Sequence, residues 1–551
     1  MAKIAAPPAA AKSNTSLVVG ASALGTMFEW YDFFLYGALA SFIAAHFFSA
    51  VGETTAFIFA LAAFAVGFVV RPIGALVFGR IGDVVGRKNT FLVTLTIMGL
   101  ATVLVGVLPG YGTIGIAAPV ILVVLRILQG LAIGGEFGGA IIYVAEHAPD
   151  AKRGLHTAFI PATAMAGLLL SLVVIMATRA SMPADAFADW GWRIPFLLSL
   201  ILLAISLWIR LMLRESPVFQ QMKAEAATSK TPLAETFLRR ENLKSVLIVL
   251  FGSVAGQAVL FYTTTFYALY FLERTAKVDG LTTSVLLASA LVIGAPLVVF
   301  FGWASDRIGR KSLMMAGLAL GALLFMPIFA ALLNAANPVL AAAVRNAPVV
   351  VRADPNECSF QFDPLGRGKF ASTSCDIVKA YLARAGVSYT AATLANAGPA
   401  RVEIGAQALL APDPTSLPEA ERAAAISAFQ ARLQAALSDA GYTDKADPAA
   451  IDRPLVVAIL VALLAISALV TGPYSVHLVE MFPARIRYSA LSFPQNFGNG
   501  WFGGFMPATA FAIVAATGDV FAGLWYPVIV AGVTFAVGVL FLPETRGRSI
   551  S

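Results

Sequence analysis

Glu29 and Asp32 lie three residues apart inside "GTMFEWYDFFLYG" (25–37), a run otherwise apolar enough for a membrane helix. Inserting either acid at a helix centre costs about 2.5–3.5 kcal/mol. A membrane segment keeps such residues for ions, protons or charged substrates. A matching cation sits in "VVLRILQGLAIGGEFGG" (123–139), which carries Arg126, Gln129 and Glu136. Arg126 falls about 17 Å into its span, and Asp32 lies near mid-bilayer counted from the other side. An acid and a cation at one depth are expected to face the interior and pair. The chemistry this allows is proton coupling, with Asp32 carrying the proton and Arg126 receiving a substrate carboxylate that competes with it. A static pair fixing two helices is the alternative, although such a pair gains little over an apolar substitute. Glu29, on the same helix face as Asp32, is either a second proton carrier or the partner of Arg71. Arg71 itself is a gate or a snorkelling anchor. Tyr31, between the two acids, is a substrate-binding candidate.

Uncharged donors occur farther along. "GQAVLFYTTTFYALY" (256–270) offers Gln257, Tyr262 and Tyr267, and "SFPQNFGNGWFGG" (492–504) offers Gln495, Asn496 and Asn499. Pro494 and the glycines beside it predict a bent helix that opens these amides to a cavity. Helix packing is the competing role for both segments. Trp192, at the start of a span, reads as a membrane-interface belt residue.

The elements that must position these residues are membrane helices. Of 551 residues, 59% are hydrophobic and 13% charged, about half the usual quarter. Twelve apolar spans are expected, close to 16–48, 54–79, 89–109, 115–145, 155–178, 193–213, 245–272, 281–304, 312–335, 454–480, 488–516 and 521–542. The net charge of +7 does not point to nucleic acid, because lysine and arginine concentrate in the short loops of one side. That bias places both termini in the cytoplasm. Four scattered histidines and two cysteines give no metal-ligand spacing and no cofactor site, and no nucleophile constellation suggests an enzyme.

Internal repetition divides the chain. "GRIGDVVGRK" (79–88) recurs as "GWASDRIGRK" (302–311), "YVAEHAPDAKR" (143–153) as "HLVEMFPARIR" (477–487), and "RESP" (214–217) has a counterpart in "PETR" (543–546). Two six-helix halves in parallel repeat follow, over 1–213 and 245–551 with a linker at 214–244. The later copies are spaced more widely than the first, so an insert occupies 336–453, after nine spans and therefore outside the cytoplasm. It is expected to hold a helix over 418–437. Cys358 and Cys375 within it can form a disulfide in that compartment, or remain as two free thiols.

"EWYDFFLYG", "RPIGALVFGRIGDVVGRK", "RILQGLAIGGEFGG", "RESPVF" and "PETRG" together resemble the major facilitator superfamily, in its metabolite:proton symporter branch. The insert and "GNGWFGGF" (498–505) look similar to bacterial haloacid and short monocarboxylate permeases. The resemblance implies an all-α polytopic fold in the bacterial inner membrane, functioning as a monomer. It also implies a charge latch where Asp83, Arg87 and Lys88 meet Asp306, Arg310 and Lys311. The residues alone allow a plainer role as helix caps and positive-inside anchors. Glu146 with Arg153, and Glu480 with Arg487, either extend that latch or are solvated helix ends. The charge count, one or two arginines partly neutralised by Asp32 and Glu29, favours symport of a small monocarboxylate or haloacid. A zwitterion such as a betaine or amino acid, or a dicarboxylate, is the alternative.

Overall fold

Long apolar runs can satisfy their backbone in lipid only as helices or closed barrels, and here they form helices. The computed structural model describes residues 15–85, 87–135, 137–212, 232–358, 373–394, 398–483, 486–548 and 550; the side chains of 79–91 lie outside that description. Ten of the described helices are long and apolar enough to cross a bilayer. In chain order the rods are α1 (Thr15–Ala38), α2 (Glu53–Val69, resuming as Arg71–Val85), α3 (Arg87–Val107), α4 (Ala117–Gly134, resuming as Phe137–His147), α5 (Phe159–Ala180) and α6 (Ile194–Met212). The second set is α7 (Arg240–Thr275), α8 (Gly280–Ile308), α9 (Arg310–Ala336), α10 (Arg453–Met481), α11 (Arg487–Thr517) and α12 (Trp525–Phe541). α7 starts at Arg240, inside the segment expected to be linker.

Within the first half α5 packs along α1, and within the second α10 packs against both α8 and α9. The halves meet where α5 faces α8 and α2 faces α11. Two rods carry wide π-type turns, α7 at Leu250–Val254, Thr263–Tyr267 and Phe271–Thr275, and α11 at Gly498–Gly504. Such turns often mark functional positions. Pro494 lies inside α11, and the π segment begins four residues beyond it. Trp192 is no interface residue: it is fully buried, against His46, Phe47 and Phe196.

The insert corrects the all-α expectation. It folds around a four-stranded sheet, β1 (Val349–Ala353), β2 (Tyr389–Thr393), β3 (Arg401–Ile404) and β4 (Gln407–Leu410), in the order β2-β1-β3-β4. β1 and β2 are parallel, joined through the helix Ser374–Ala385, while β1–β3 and β3–β4 are antiparallel. Val349, Val351, Val402 and Ile404 form the buried face. The helix expected over 418–437 runs Glu419–Asp439. Cys358 and Cys375 have Cα atoms 5.2 Å apart, within disulfide range. The insert rests on one end of the second half, where Tyr389 N donates to Gly518 O (2.9 Å) and Asp452 N to Ala335 O (3.0 Å). We call this the insert end, and the opposite end, where residues 542–548 return, the tail end.

Candidate substrate and proton site

α2 and α4 approach until their backbones touch. A Cβ on Gly130 would overlap the carbonyl oxygen of Gly67, and one on Gly134 that of Arg71. Only glycine leaves the room. This contact sets Arg71 of α2 beside Arg126 of α4, both buried. Arg126 donates from Nη1 to Gln129 Oε1 (2.6 Å) and from Nη2 to Phe64 O (3.4 Å), and Gln129 in turn donates to Thr102 Oγ1 (2.8 Å). Its guanidinium lies 4.3 Å from the Phe33 ring centre and 4.6 Å from that of Tyr36. Arg71 also sits over Phe33, at 4.7 Å, and over Phe68, at 4.4 Å, and its Nε and Nη2 lack a hydrogen-bond partner. One phenyl ring therefore carries two guanidiniums, and no carboxylate pairs with either among the described residues.

The expected Asp32–Arg126 ion pair is absent, as is a Glu29–Arg71 pair. Successive residues of a helix point about 100° apart, so when Phe33 and Tyr36 face α2 and α4, Asp32 turns toward α6. Ser199 on α6 and Glu29 are the polar groups beside it. Asp32 is buried, with Oδ1 unsatisfied. Tyr31 also turns to α6 and donates to Pro195 O (2.7 Å), which removes it from the arginine site. The proton candidate and the anion candidate thus occupy different faces of α1.

From the second half, Tyr262 of α7 faces both arginines and meets Phe68 edge-on, ring centres 5.1 Å apart. Gln257 donates to Thr471 Oγ1 (3.3 Å), while its Oε1 and that of Gln495 are buried without partners. Asn496 donates to Gly134 O (3.0 Å), tying α11 to α4, and Asn499 donates to Gln495 O (3.0 Å). Tyr267 packs against Phe329 and Phe511, away from the arginines. Phe33, Tyr36, Phe64 and Phe68 were not singled out from the sequence. Their signal was present in Phe33 and Tyr36, three apart in α1, and Phe64 and Phe68, four apart in α2.

At the tail end the charges pair across the halves. Arg153 Nη1 lies 3.4 Å from Glu480 Oε1, which Arg310 Nη2 also reaches at 3.3 Å. Arg487 Nη1 lies 3.4 Å from Glu146 Oε1. The pairing expected within each repeat, Glu146 with Arg153 and Glu480 with Arg487, is exchanged between them. Asp306 pairs with Arg310 (2.9 Å) and accepts the backbone N–H groups of Gly154 and Leu155, both at 2.9 Å. Lys311 stays within the second half, donating to Val539 O (2.8 Å). Gly309, at φ +121°, starts the turn, and Glu544 caps the next helix by accepting from Arg310 N (2.9 Å) and Lys311 N (3.1 Å). Asp83, Arg87 and Lys88 fall among the side chains outside the description.

Residues 17–246 and 427–551 match the sugar (and other) transporter family, over more than half of the chain. The chain belongs to that family. It is a polytopic transporter of the major facilitator superfamily and not an enzyme. The transporter is 35% identical over 324 residues to the alpha-ketoglutarate permease of Escherichia coli, covering 59% of this chain and 73% of the permease. It is 36% identical over 314 residues to the shikimate transporter of Escherichia coli, covering 56% and 70%. A putative proline/betaine transporter of Staphylococcus haemolyticus is 38% identical over 309 residues, covering 54% of this chain and 64% of that protein. In fold the transporter is similar to a major facilitator superfamily proton:xylose symporter bound to 6-bromo-6-deoxy-D-glucose, with a TM-score of 0.61, 15% identity and 97% of each chain covered.

Proposed function

We propose that the transporter couples inward proton movement to uptake of a small organic dianion, a compact dicarboxylate, across a bacterial inner membrane. The observation that carries this is the pair Arg71 and Arg126, two buried guanidiniums over one phenyl ring with no carboxylate paired to either among the described residues, which do not include Glu136. Uncompensated buried cations cost several kcal/mol each, and a ligand with two carboxylates removes both penalties through charge-assisted, often bidentate contacts. The sequence reading favoured a monocarboxylate or haloacid because it counted Asp32 against Arg126. With Asp32 turned to α6, one carboxylate would leave a guanidinium unmatched. A betaine's ammonium would need the aromatic faces that the arginines already cover. The 35% identity to an alpha-ketoglutarate permease supports the same substrate class.

In this reading Asp32 is the proton carrier and Glu29 its reserve. The charged network at the tail end is the cytoplasmic latch, both termini are cytoplasmic, and the insert is extracytoplasmic with Cys358 and Cys375 bridged. The unit that works is one chain, with halves at 1–213 and 245–551. Uptake of labelled dicarboxylates, monocarboxylates and a betaine into proteoliposomes under an imposed pH gradient tests the substrate class. Dicarboxylates should accumulate best, and Arg71→Ala should abolish that preference. Accumulation of a monocarboxylate alone would return the assignment to a single-arginine site. Alkylation of both cysteines in unreduced protein would remove the bridge.

A further inference from the structure

The insert end holds charges that neither the arginine site nor the tail-end network uses. Arg274, in the last turn of α7, reaches into the first half. Its Nη1 lies 2.6 Å from Glu53 Oε1, its Nη2 lies 3.3 Å from Ser41 Oγ, and its guanidinium stands 4.4 Å from the Phe57 ring centre. Glu273, its neighbour, turns the other way, toward Arg179 of α5. A Cβ on Gly280 would stand 3.1 Å from Glu273 Oε1 and 3.2 Å from Arg179 Nη1, so carboxylate and guanidinium converge over a residue that has no side chain. Phe42 and Phe187 hold Arg179 there, with ring centres 5.1 and 5.0 Å away. Two consecutive residues of the second half thus address two opposite charges of the first. A cavity of about 240 Å³, bordered by Ser41, Arg179, Glu273 and Arg274, lies at this junction. One turn deeper Tyr270 donates to Gly37 O (2.8 Å), again across the halves.

The insert grips the turn that follows. Lys277 has φ +61°, the one non-glycine residue in the left-handed region among those described. Its Nζ donates to Ala385 O (3.1 Å), its carbonyl accepts from Ala446 N (2.9 Å), and the Asn337 amide donates to Ala276 O (3.1 Å). We propose that the Arg274–Glu53 ion pair, with Glu273 turned toward Arg179 over Gly280 beside it, forms a gate that closes the insert end, and that the insert holds this gate in register through Lys277. The side chain of Glu53 is 74% exposed and that of Arg274 30%. A pair so wetted is weak, as suits a contact broken in every cycle. The gate depends on alternating access and not on which anion is carried.

The test reads access directly and needs no substrate. Ala60 is fully buried, on the α2 face shared with Phe57 at the gate and Phe64 at the arginines. Ala60→Cys, in the full chain, would be labelled with a membrane-impermeant maleimide added on the insert side, with the chain lacking this substitution as the blank. Labelling should be slow in the parent and rise about ten-fold with Arg274→Ala or Glu53→Arg as the closed population falls. It should become slow again in Glu53→Arg/Arg274→Glu. Ala446→Pro, which removes the donor to the Lys277 carbonyl, should also speed labelling. The melting temperature should stay within about 2 °C throughout. Unchanged labelling in Arg274→Ala would overturn the gate, and unchanged labelling in Ala446→Pro would remove the insert from it. Faster labelling with a large fall in melting temperature would show that the charges hold the fold and not a gate.

Discussion

Arg153 and Glu480 are 327 positions apart in the chain, yet Nη1 and Oε1 lie 3.4 Å apart. Their side chains are 3% and 1% exposed. The contact joins the two halves at the tail end, and Thr545 adds a hydrogen bond from its hydroxyl to the other Glu480 oxygen (2.7 Å). Arg274 and Glu53 join the halves at the opposite end, with Nη1 and Oε1 2.6 Å apart.

Glu480→Gln removes the negative charge between Arg153 and Arg310. Breaking a buried pair in this way costs about 3–5 kcal/mol, and the cost falls on the conformer closed at the tail end. Thermal unfolding in detergent should shift downward, and substrate exchange should slow with little change in affinity measured from the insert side. Unchanged unfolding would mean that Asp150 and Asp306, already paired with Arg153 and Arg310, suffice to balance them.

Gly130→Ala should separate α2 from α4, because the added methyl collides with the Gly67 carbonyl. Overpacking of this kind costs about 1–3 kcal/mol, and the shift would also misalign Arg126 with Arg71. Affinity for the transported anion should drop more than about ten-fold, since each 1.4 kcal/mol is a factor of ten, with helical content by circular dichroism preserved. Gly532→Ala, where an added Cβ meets nothing within 4 Å, serves as the neutral control.

Asp32→Asn mimics the protonated acid. Binding and counterflow should persist, because Asp32 makes no pair with the arginines, while accumulation driven by a pH gradient should vanish. Vesicles that still concentrate substrate would move the proton to Glu29.

Glu544 gives a pH dependence outside the membrane. Burial pushes its carboxyl up, but the backbone N–H groups of Arg310, Arg546, Lys311 and Thr545 outweigh that and hold it below the ordinary carboxylate value. A depressed pKa contributes stability that is complete above the unfolded value and is lost as pH falls through the folded one. Melting temperature should therefore decline on the acid side more steeply in the parent than in Glu544→Gln. Parallel curves would show that the cap is energetically idle.

The helices were legible because lipid imposes long apolar runs, and the repeated loop glycines and charges located the tail end. Depth along the helix axis was legible too, which is why Asp32 and Arg126 were expected to meet. Direction around the axis was not. Phe33 faces the arginines while Asp32, one residue earlier, faces α6, and α1 is seated by its close contact with α5, where Gly167 leaves room for the backbone of Met27 and Tyr31, a contact no quoted motif contains. The exchange of partners between Glu146 and Glu480 was hidden for a similar reason, because repeats reveal which residues correspond and not which half supplies the partner. The insert sheet rests on short β-branched runs such as "VVVRA" (349–353) inside an alanine-rich segment, too brief to outweigh helical propensity.

The two ends differ in how much water reaches their ion pairs, and ions in the medium respond to that difference. Mobile salt screens exposed charges over a Debye length of about 8 Å at physiological strength, and dry pairs far less. Arg274 and Glu53 sit in the first regime, Arg153 and Glu480 in the second. Raising the salt on the insert side should therefore loosen that end while the tail end stays shut. The ionic strength of the surroundings becomes a setting of the transport cycle, independent of substrate and of pH.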